Sequence, residues 1–311
     1  MIYSIDQECS SAEEFMNFFS TALFLKPRHI FDAYGIGMNG YIFRGQSDSS
    51  WPLLASVFRP GNPLQNFTPQ TAGEPDSESF DHIMHLGWQL HAELRAVFIF
   101  LETADKLGIE TPLEYSNLKE HRDLIHDALN SKQTKYDTPF PSHRILNEMA
   151  LAQHHGVPSR LLDWTESPFV ASFFAAYKAS TLAEESERVR SEKISVIFLN
   201  TDRLRNDESD VSIVNAPRRS NTFLRVQKGL FTYIPKANQY FIDNKKWPSL
   251  EDLNELWEGK HINLNRITLP SSQANNLLKQ LYQHGITQSS LMPSLDNVAK
   301  SFKYNKELFK R

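Results

Sequence analysis

Apolar positions along the chain predict helices first and strands second. Between His82 and Lys106, Leu90, Leu94, Val97 and Leu101 recur at the 3.6-residue period, with Phe98 beside them, which predicts one long helix with a buried face. Near the start, Ser10-Ser11 followed by Glu13-Glu14 has the form of a capping box, opening a helix with Phe15, Phe18, Phe19 and Leu23 on its apolar side. A further helix after Pro141-Ser142 carries Ile145, Met149 and Ala152 and ends at Gly156, a residue suited to the position just past a helix. Ser167-Pro168 reads as an N-cap and first-turn pair, and the helix after it buries Phe169, Val170, Phe173, Phe174 and Tyr177. Residues 274–284 are amphipathic with helical spacing, and Leu295–Leu308 form the last helix.

The strand signals are shorter. Tyr41-Ile42-Phe43 is one, ended by Arg44-Gly45. The stretch 157–162 is expected to be extended after Pro158, 194–199 is a run of the buried type, and 225–234 alternates loosely. Residues 60–80 are rich in Pro, Gly, Asn, Gln and Ser, which predicts a flexible loop, and 183–193 mix charges as a solvated segment does. The sum is an α+β fold, a small central sheet surrounded by helices. Its expected organisation is an N-terminal helical extension over 1–40, a main domain over 41–299, and the end of the last helix over 300–311, with both terminal helices appended to the core.

Length and composition narrow the class without naming it. The 311 residues are 40% hydrophobic and 23% charged, ordinary for a globular chain that can bury a sizeable core. A net charge of −4 gives no general footprint for nucleic acid or an anionic membrane, although Arg218-Arg219 is a small local basic candidate. Cys9 is the one cysteine, so there is neither an internal disulfide nor a cysteine-rich zinc site. The start lacks the basic and apolar regions of a signal peptide, and no apolar run approaches the ~20 residues of a membrane span. A cytoplasmic location is therefore expected, with no membrane partner.

The candidate chemistry is concentrated in Gln153-His154-His155-Gly156-Val157-Pro158-Ser159-Arg160-Leu161-Leu162-Asp163-Trp164-Thr165, continued by Glu166-Ser167-Pro168. So many polar groups between apolar helices either close into a structural network or line a site, because each would cost about 1–3 kcal/mol if buried without a partner. Arg160 and Asp163 read as a structural network; if extended, they face opposite sides and need different partners. Trp164 is a core residue or a stacking platform for a base. Thr165 and Ser167 read as helix caps before nucleophiles. His154 and His155 are adjacent and diverge on a helix, so they do not share a metal, and no zinc-type spacing surrounds them. One of them contacts a substrate or sits favourably at the helix C-terminus. Arg44 either forks onto a phosphate or carboxylate, with Gly45 allowing close backbone approach, or pairs with Asp163 or Glu93. No dinucleotide-binding glycine loop, Walker A loop or Gly-x-Ser-x-Gly elbow is present.

These residues together resemble the FRG domain, a bacterial and phage family named for a Phe-Arg-Gly motif. It stands here as Phe43-Arg44-Gly45-Gln46, followed by Trp51 and Leu53, then Glu93 and Phe98. The densest part runs from Leu151 to Thr165 and on through Ser167-Pro168 to Ala171, Phe174 and Ala175. Arg225-Val226-Gln227-Lys228-Gly229, Gly285-Ile286-Thr287 and Leu291 to Asp296 continue the resemblance to about Ala299.

A more distant likeness is to mono-ADP-ribosyltransferases of the Arg-Ser-Glu type. Phe43-Arg44-Gly45 fills their arginine position, and Asp163-Trp164-Thr165 leading through Ser167 fills their Ser-Thr-Ser position. The third position, a glutamate there, is Gln227 here. This likeness implies a cleft that takes NAD, or an NAD-like nucleotide, as substrate. Arg44, Gly45, Gln46, His154, His155, Trp164, Thr165 and Ser167 are its candidate contacts, and Glu93, Arg44 and Gln227 its candidate catalytic groups.

Of the two open carboxylates, Glu93 is expected to face the ligand from its helix, and Asp163 to lock Arg44 or Arg160 in place. One implied function is a toxin or defence effector that cleaves the nicotinamide–ribose bond and modifies a protein or nucleic-acid acceptor. The other is a module that binds a nucleotide or a protein without chemistry.

Overall fold

The computed structural model describes residues 3–21, 40–61, 63–67, 81–110, 139–142, 145–183, 185–204, 210–215, 222–256 and 263–310. In chain order these form β1 (Ile5–Glu8), α1 (Ala12–Phe19), β2 (Tyr41–Gln46), α2 (His82–Lys106), α3 (Leu146–His154), β3 (Leu162–Thr165), α4 (Pro168–Ala179), β4 (Lys193–Asn200), β5 (Ser212–Val214), α5 (Thr222–Val226), β6 (Gly229–Tyr233), α6 (Ala237–Asn244), α7 (Leu250–Leu256), β7 (Asn265–Pro270), α8 (Ala274–Gln283), α9 (Gln288–Leu291) and α10 (Leu295–Leu308). The fold is α+β, and its seven strands make one sheet in the order β1-β7-β4-β2-β3-β6-β5. Only β1 and β7 run parallel; the other neighbours are antiparallel.

Alternation along the strands sorts the side chains into layers. Phe43 pairs with Phe198, and both enter a core closed by α1, α4, α8 and α10. Ile42 pairs with Leu199, and both enter the layer on the opposite face with Leu162, Trp164 and Leu230. Phe231 and Tyr233 of β6 join a third cluster formed by α2 and α3. Asp163 pairs with Phe231 and Thr165 with Phe43. The Asp163 side of β3 therefore runs along the seam between the α4 core and the α2–α3 core.

Local sequence accounts for most of these elements. Ser11 caps α1 by accepting from the Glu14 N–H, and Asp81 caps α2 through the N–H groups of Ile83 and Met84. Gly156 has φ +90, the left-handed geometry expected just past α3. Ser167 caps α4 with Pro168 in its first turn.

Two expectations need correction. Of the extended segment expected over 157–162, Leu162 alone joins the sheet, opening a strand Leu162–Thr165, because the Val157-Pro158-Ser159 segment is tied to the turn before Arg59: Val57 N–H donates to the Ser159 carbonyl. The terminal helices are not appendages, since Phe15, Phe19, Tyr304 and Leu308 share the core of Phe43 and Phe198. Of the loop expected over 60–80, residues 62 and 68–80 lie outside the described residues, as does Arg218-Arg219; Pro63–Asn66 form a single 3-10 turn that buries Leu64. Among the described residues, no helix is long and apolar enough to cross a membrane.

Candidate functional site

β2 and β3 share one paired position, Phe43 with Thr165. Arg44, the next residue of β2, reaches across to β3. Its Nη1 donates to the Asp163 carbonyl at 2.7 Å and lies 3.5 Å from the Asp163 carboxylate. The two side chains differ in exposure, 13% for Arg44 against 54% for Asp163. The Nε of Arg44 is buried without a hydrogen-bond partner. Gln153, at the end of α3, donates to both Asp163 oxygens at 3.3–3.4 Å and accepts from the Ser56 hydroxyl.

Arg59 closes the group. Its Nε donates to the Leu54 carbonyl, and desolvation followed by the charge of Arg44 holds its guanidinium below the ordinary arginine value, with Asp163 opposing. Arg59 still carries its charge at any physiological pH. Two guanidiniums beside one half-exposed carboxylate leave a net positive site, the arrangement that recognises phosphate.

His154 borders this group. Its ring lies 5.3 Å from that of His155 and 6.3 Å from that of Phe223. Burial lowers its pKa first and His155 second, while Asp163 pulls the other way. His155 caps α3, stacks on Phe100 at 5.8 Å, and is also lowered by burial. Burial and then Arg95 lower His91 on α2.

A histidine with its folded pKa below the unfolded value near 6.5 leaves the unfolded chain to take up the proton first. Its contribution to stability is thus complete above about pH 6.5 and is lost as pH falls below it. Thermal melts taken from about pH 8 to about pH 5 should show a falling midpoint, and a His91→Gln/His154→Asn variant a shallower slope. An unchanged slope would mean that these imidazoles take up protons as readily in the folded chain as in the unfolded one.

The remaining candidates divide sharply. Thr165 and Gln227 stand together: the Thr165 hydroxyl donates to the Gln227 carbonyl at 2.7 Å, and the Gln227 amide donates to the Leu291 carbonyl at 3.0 Å. Ser167 is committed to capping α4. Gly45, expected to admit a ligand, instead admits α4: a Cβ placed there would lie 2.0 Å from the Ala171 carbonyl oxygen. Gln46 is buried, donating to the Trp51 carbonyl and accepting from Ser195. Trp164 is buried as well, and its indole N–H donates to Thr232 at 2.8 Å, so it has no open face for stacking.

The carboxylates exchange the roles expected of them. Glu93 is 1% exposed and forks onto Arg160, itself 1% exposed, at 2.7 and 2.8 Å. Gln89 donates to the same carboxylate, and Asn238 accepts from the other arm of Arg160. The guanidinium lies 4.3 Å from the Phe140 ring centroid and 5.4 Å from that of Phe58. Glu93 is thus sealed in a satisfied network, and Asp163 is the carboxylate that meets solvent. Arg160 and Asp163 are no joint network; as opposite sides of an extended chain require, each has its own partner.

Sequence reasoning missed Arg59, Ser56 and Gln153 as members of the site. Gln153 heads the densest motif, and that position was the available signal. Arg59 had none, because only the fold brings the segment before residue 60 against Ser159.

The FRG domain family model matches residues 39–184. That span holds Arg44, Arg59, Gln153, Asp163 and Ser167, as well as the Glu93–Arg160 pair, and ends before Gln227. No curated protein and no solved structure matches the chain.

Proposed function

We propose, from the match of residues 39–184 to the FRG domain family model, that the Arg44–Asp163 site takes an NAD-type dinucleotide and cleaves its nicotinamide–ribose bond, as a toxin or defence effector would. The observation that carries this reading is the strand order β2-β3-β6. It sets the three positions of the transferase likeness side by side: Arg44 on β2, Thr165 on β3, and Gln227 just before β6. Hydrogen bonds of 2.7 Å link Arg44 to the Asp163 carbonyl and Thr165 to that of Gln227.

Each residue then has a distinct task. Arg44 and Arg59 hold the pyrophosphate, whose charges displace the looser contact between Arg44 and the Asp163 carboxylate. As the bond between ribose C1′ and the nicotinamide nitrogen breaks, its electron pair leaves with neutral nicotinamide and positive charge develops on the sugar. Asp163 faces that charge and takes the part of the glutamate for which Gln227 stands. Water or an acceptor nucleophile then bonds to C1′ and loses its proton. Gln227, uncharged and tied to Leu291, positions the strand end and donates no charge to the reaction. That missing charge favours the second reading, nucleotide binding without turnover.

Purified protein incubated with NAD should release nicotinamide. Arg44→Ala and Arg59→Ala should lose most of the affinity. Asp163→Asn should lower turnover by roughly 10²–10³, the scale of one preorganised electrostatic contact, with NAD affinity nearly retained. Its melting temperature should barely move, because a half-exposed pair contributes at most about 1 kcal/mol. NAD affinity without any nicotinamide release would select the binding module. Neither affinity nor release would overturn both readings.

A further inference from the structure

Far along the chain from the Arg44 site, the C-terminal helices border a half-open cavity of about 360 Å³. Gly285, at φ +74, turns the chain after α8, and Thr287 and Ser290 cap each other to start α9. Then α10 packs back over both helices, burying Tyr304 and Leu308. The space left between them is lined by residues including Tyr282, Thr287, Gln288, Ser301, Tyr304 and Asn305.

Three features distinguish this space from a packing defect. Every lining residue is neutral, and all but Gly285 carry a hydroxyl or a side-chain amide. The side chains of Tyr282, Gln288 and Asn305 make no hydrogen bond among the described residues, so their groups are free to meet another molecule. Tyr304 is 6% exposed, yet its hydroxyl is buried with no hydrogen-bond partner. Buried hydroxyls are ordinarily paired, and one that is not marks a place where a partner belongs. Burial pushes its pKa well up, so it remains a neutral donor and acceptor.

The chemistry of the lining selects the ligand class. With no cation in the wall, a phosphate or carboxylate would enter without compensation for its lost hydration. Hydroxyls and amides both donate and accept, as vicinal alcohol groups do. The volume lies at the lower end of small-molecule sites. We propose that this cavity is a binding site for a neutral, hydroxyl-rich ligand of monosaccharide size, separate from the anion-recognising site at Arg44.

The test is ligand-observed NMR on the full chain with glucose, galactose, mannose and N-acetylglucosamine, with glucose 6-phosphate as the charged comparison. At least one neutral sugar should bind, and glucose 6-phosphate should bind more weakly than glucose. Tyr304→Phe removes a hydroxyl that has no protein partner, so the melting temperature should hold or rise while affinity falls roughly three- to tenfold, the value of one hydrogen bond. Asn305→Ala, on a partly exposed position, should weaken binding likewise without unfolding the chain. Failure of all four neutral sugars to bind, equal or tighter binding of the phosphate, or unchanged affinity in both variants would overturn the proposal.

Discussion

Replacing Glu93 by Gln should destabilise the protein by about 3–5 kcal/mol, the cost of leaving one member of a buried ion pair without its partner. The guanidinium of Arg160 would remain at 1% exposure, ringed by Phe58, Phe140 and Trp247, with a neutral amide where it now has a carboxylate. A glutamine can accept one hydrogen bond from it, but it cannot supply the charge. Urea denaturation followed by circular dichroism reads the effect. A Glu93→Gln/Arg160→Met double variant removes both ends and should recover part of the loss, since an apolar pair of similar volume tolerates that environment. If Glu93→Gln unfolded like the parent but lost all ligand binding, the helix-borne carboxylate would be the one that meets the ligand after all.

The second large effect belongs to Gly45. Its added methyl in Gly45→Ala would meet the Ala171 carbonyl oxygen at 2.0 Å and the Ala175 nitrogen at 2.7 Å. Both are backbone atoms of α4, so no side chain can swing away and the helix itself must retreat from β2. Ala171 and Ala175 allow that contact by presenting nothing larger than a methyl. Overpacking of a filled core costs about 1–3 kcal/mol, and displacement of a whole helix places this variant at or above the upper figure. A melting temperature within a degree or two of the parent would show that α4 is free to shift. The glycine of the Phe-Arg-Gly motif thus owes its place to helix packing, while the arginine beside it pairs with Asp163 across β2 and β3.

What could be read from the sequence follows the range of the interactions involved. Helices His82–Lys106 and Leu295–Leu308 stand at the predicted bounds because their periodicity and caps are written within one or two turns. The meeting of Arg44 with Asp163 followed from two strand-borne motifs and a resemblance. The assignment of carboxylates did not. Asp163 has an arginine three residues away, which made a structural pair look natural, yet the extended backbone turns Arg160 to the other side. There it meets Glu93, separated by 67 residues. No local pattern reports which of two acidic groups will be enclosed by helices that meet only in the finished fold. Trp164 was ambiguous for a similar reason: its hydrogen bond to Thr232 spans 68 residues and makes a polar-looking position part of the interior.

The parallel pairing of β1 with β7 sets a timetable for the nascent chain. Ile5 aligns with Asn265, and Asp6 forms its ion pair with Arg266, 260 residues later. At a synthesis rate of about 5–20 residues per second, the first strand waits roughly 13–50 s for its neighbour to be made. During that interval Phe15 and Phe19 have also not met α8 and α10, so the large apolar side chains of α1 stay without their final cover. Strand β1 thus leaves the ribosome long before the neighbour that locks it, and over that window the growing chain is most open to chaperones and to neighbouring chains on the same messenger.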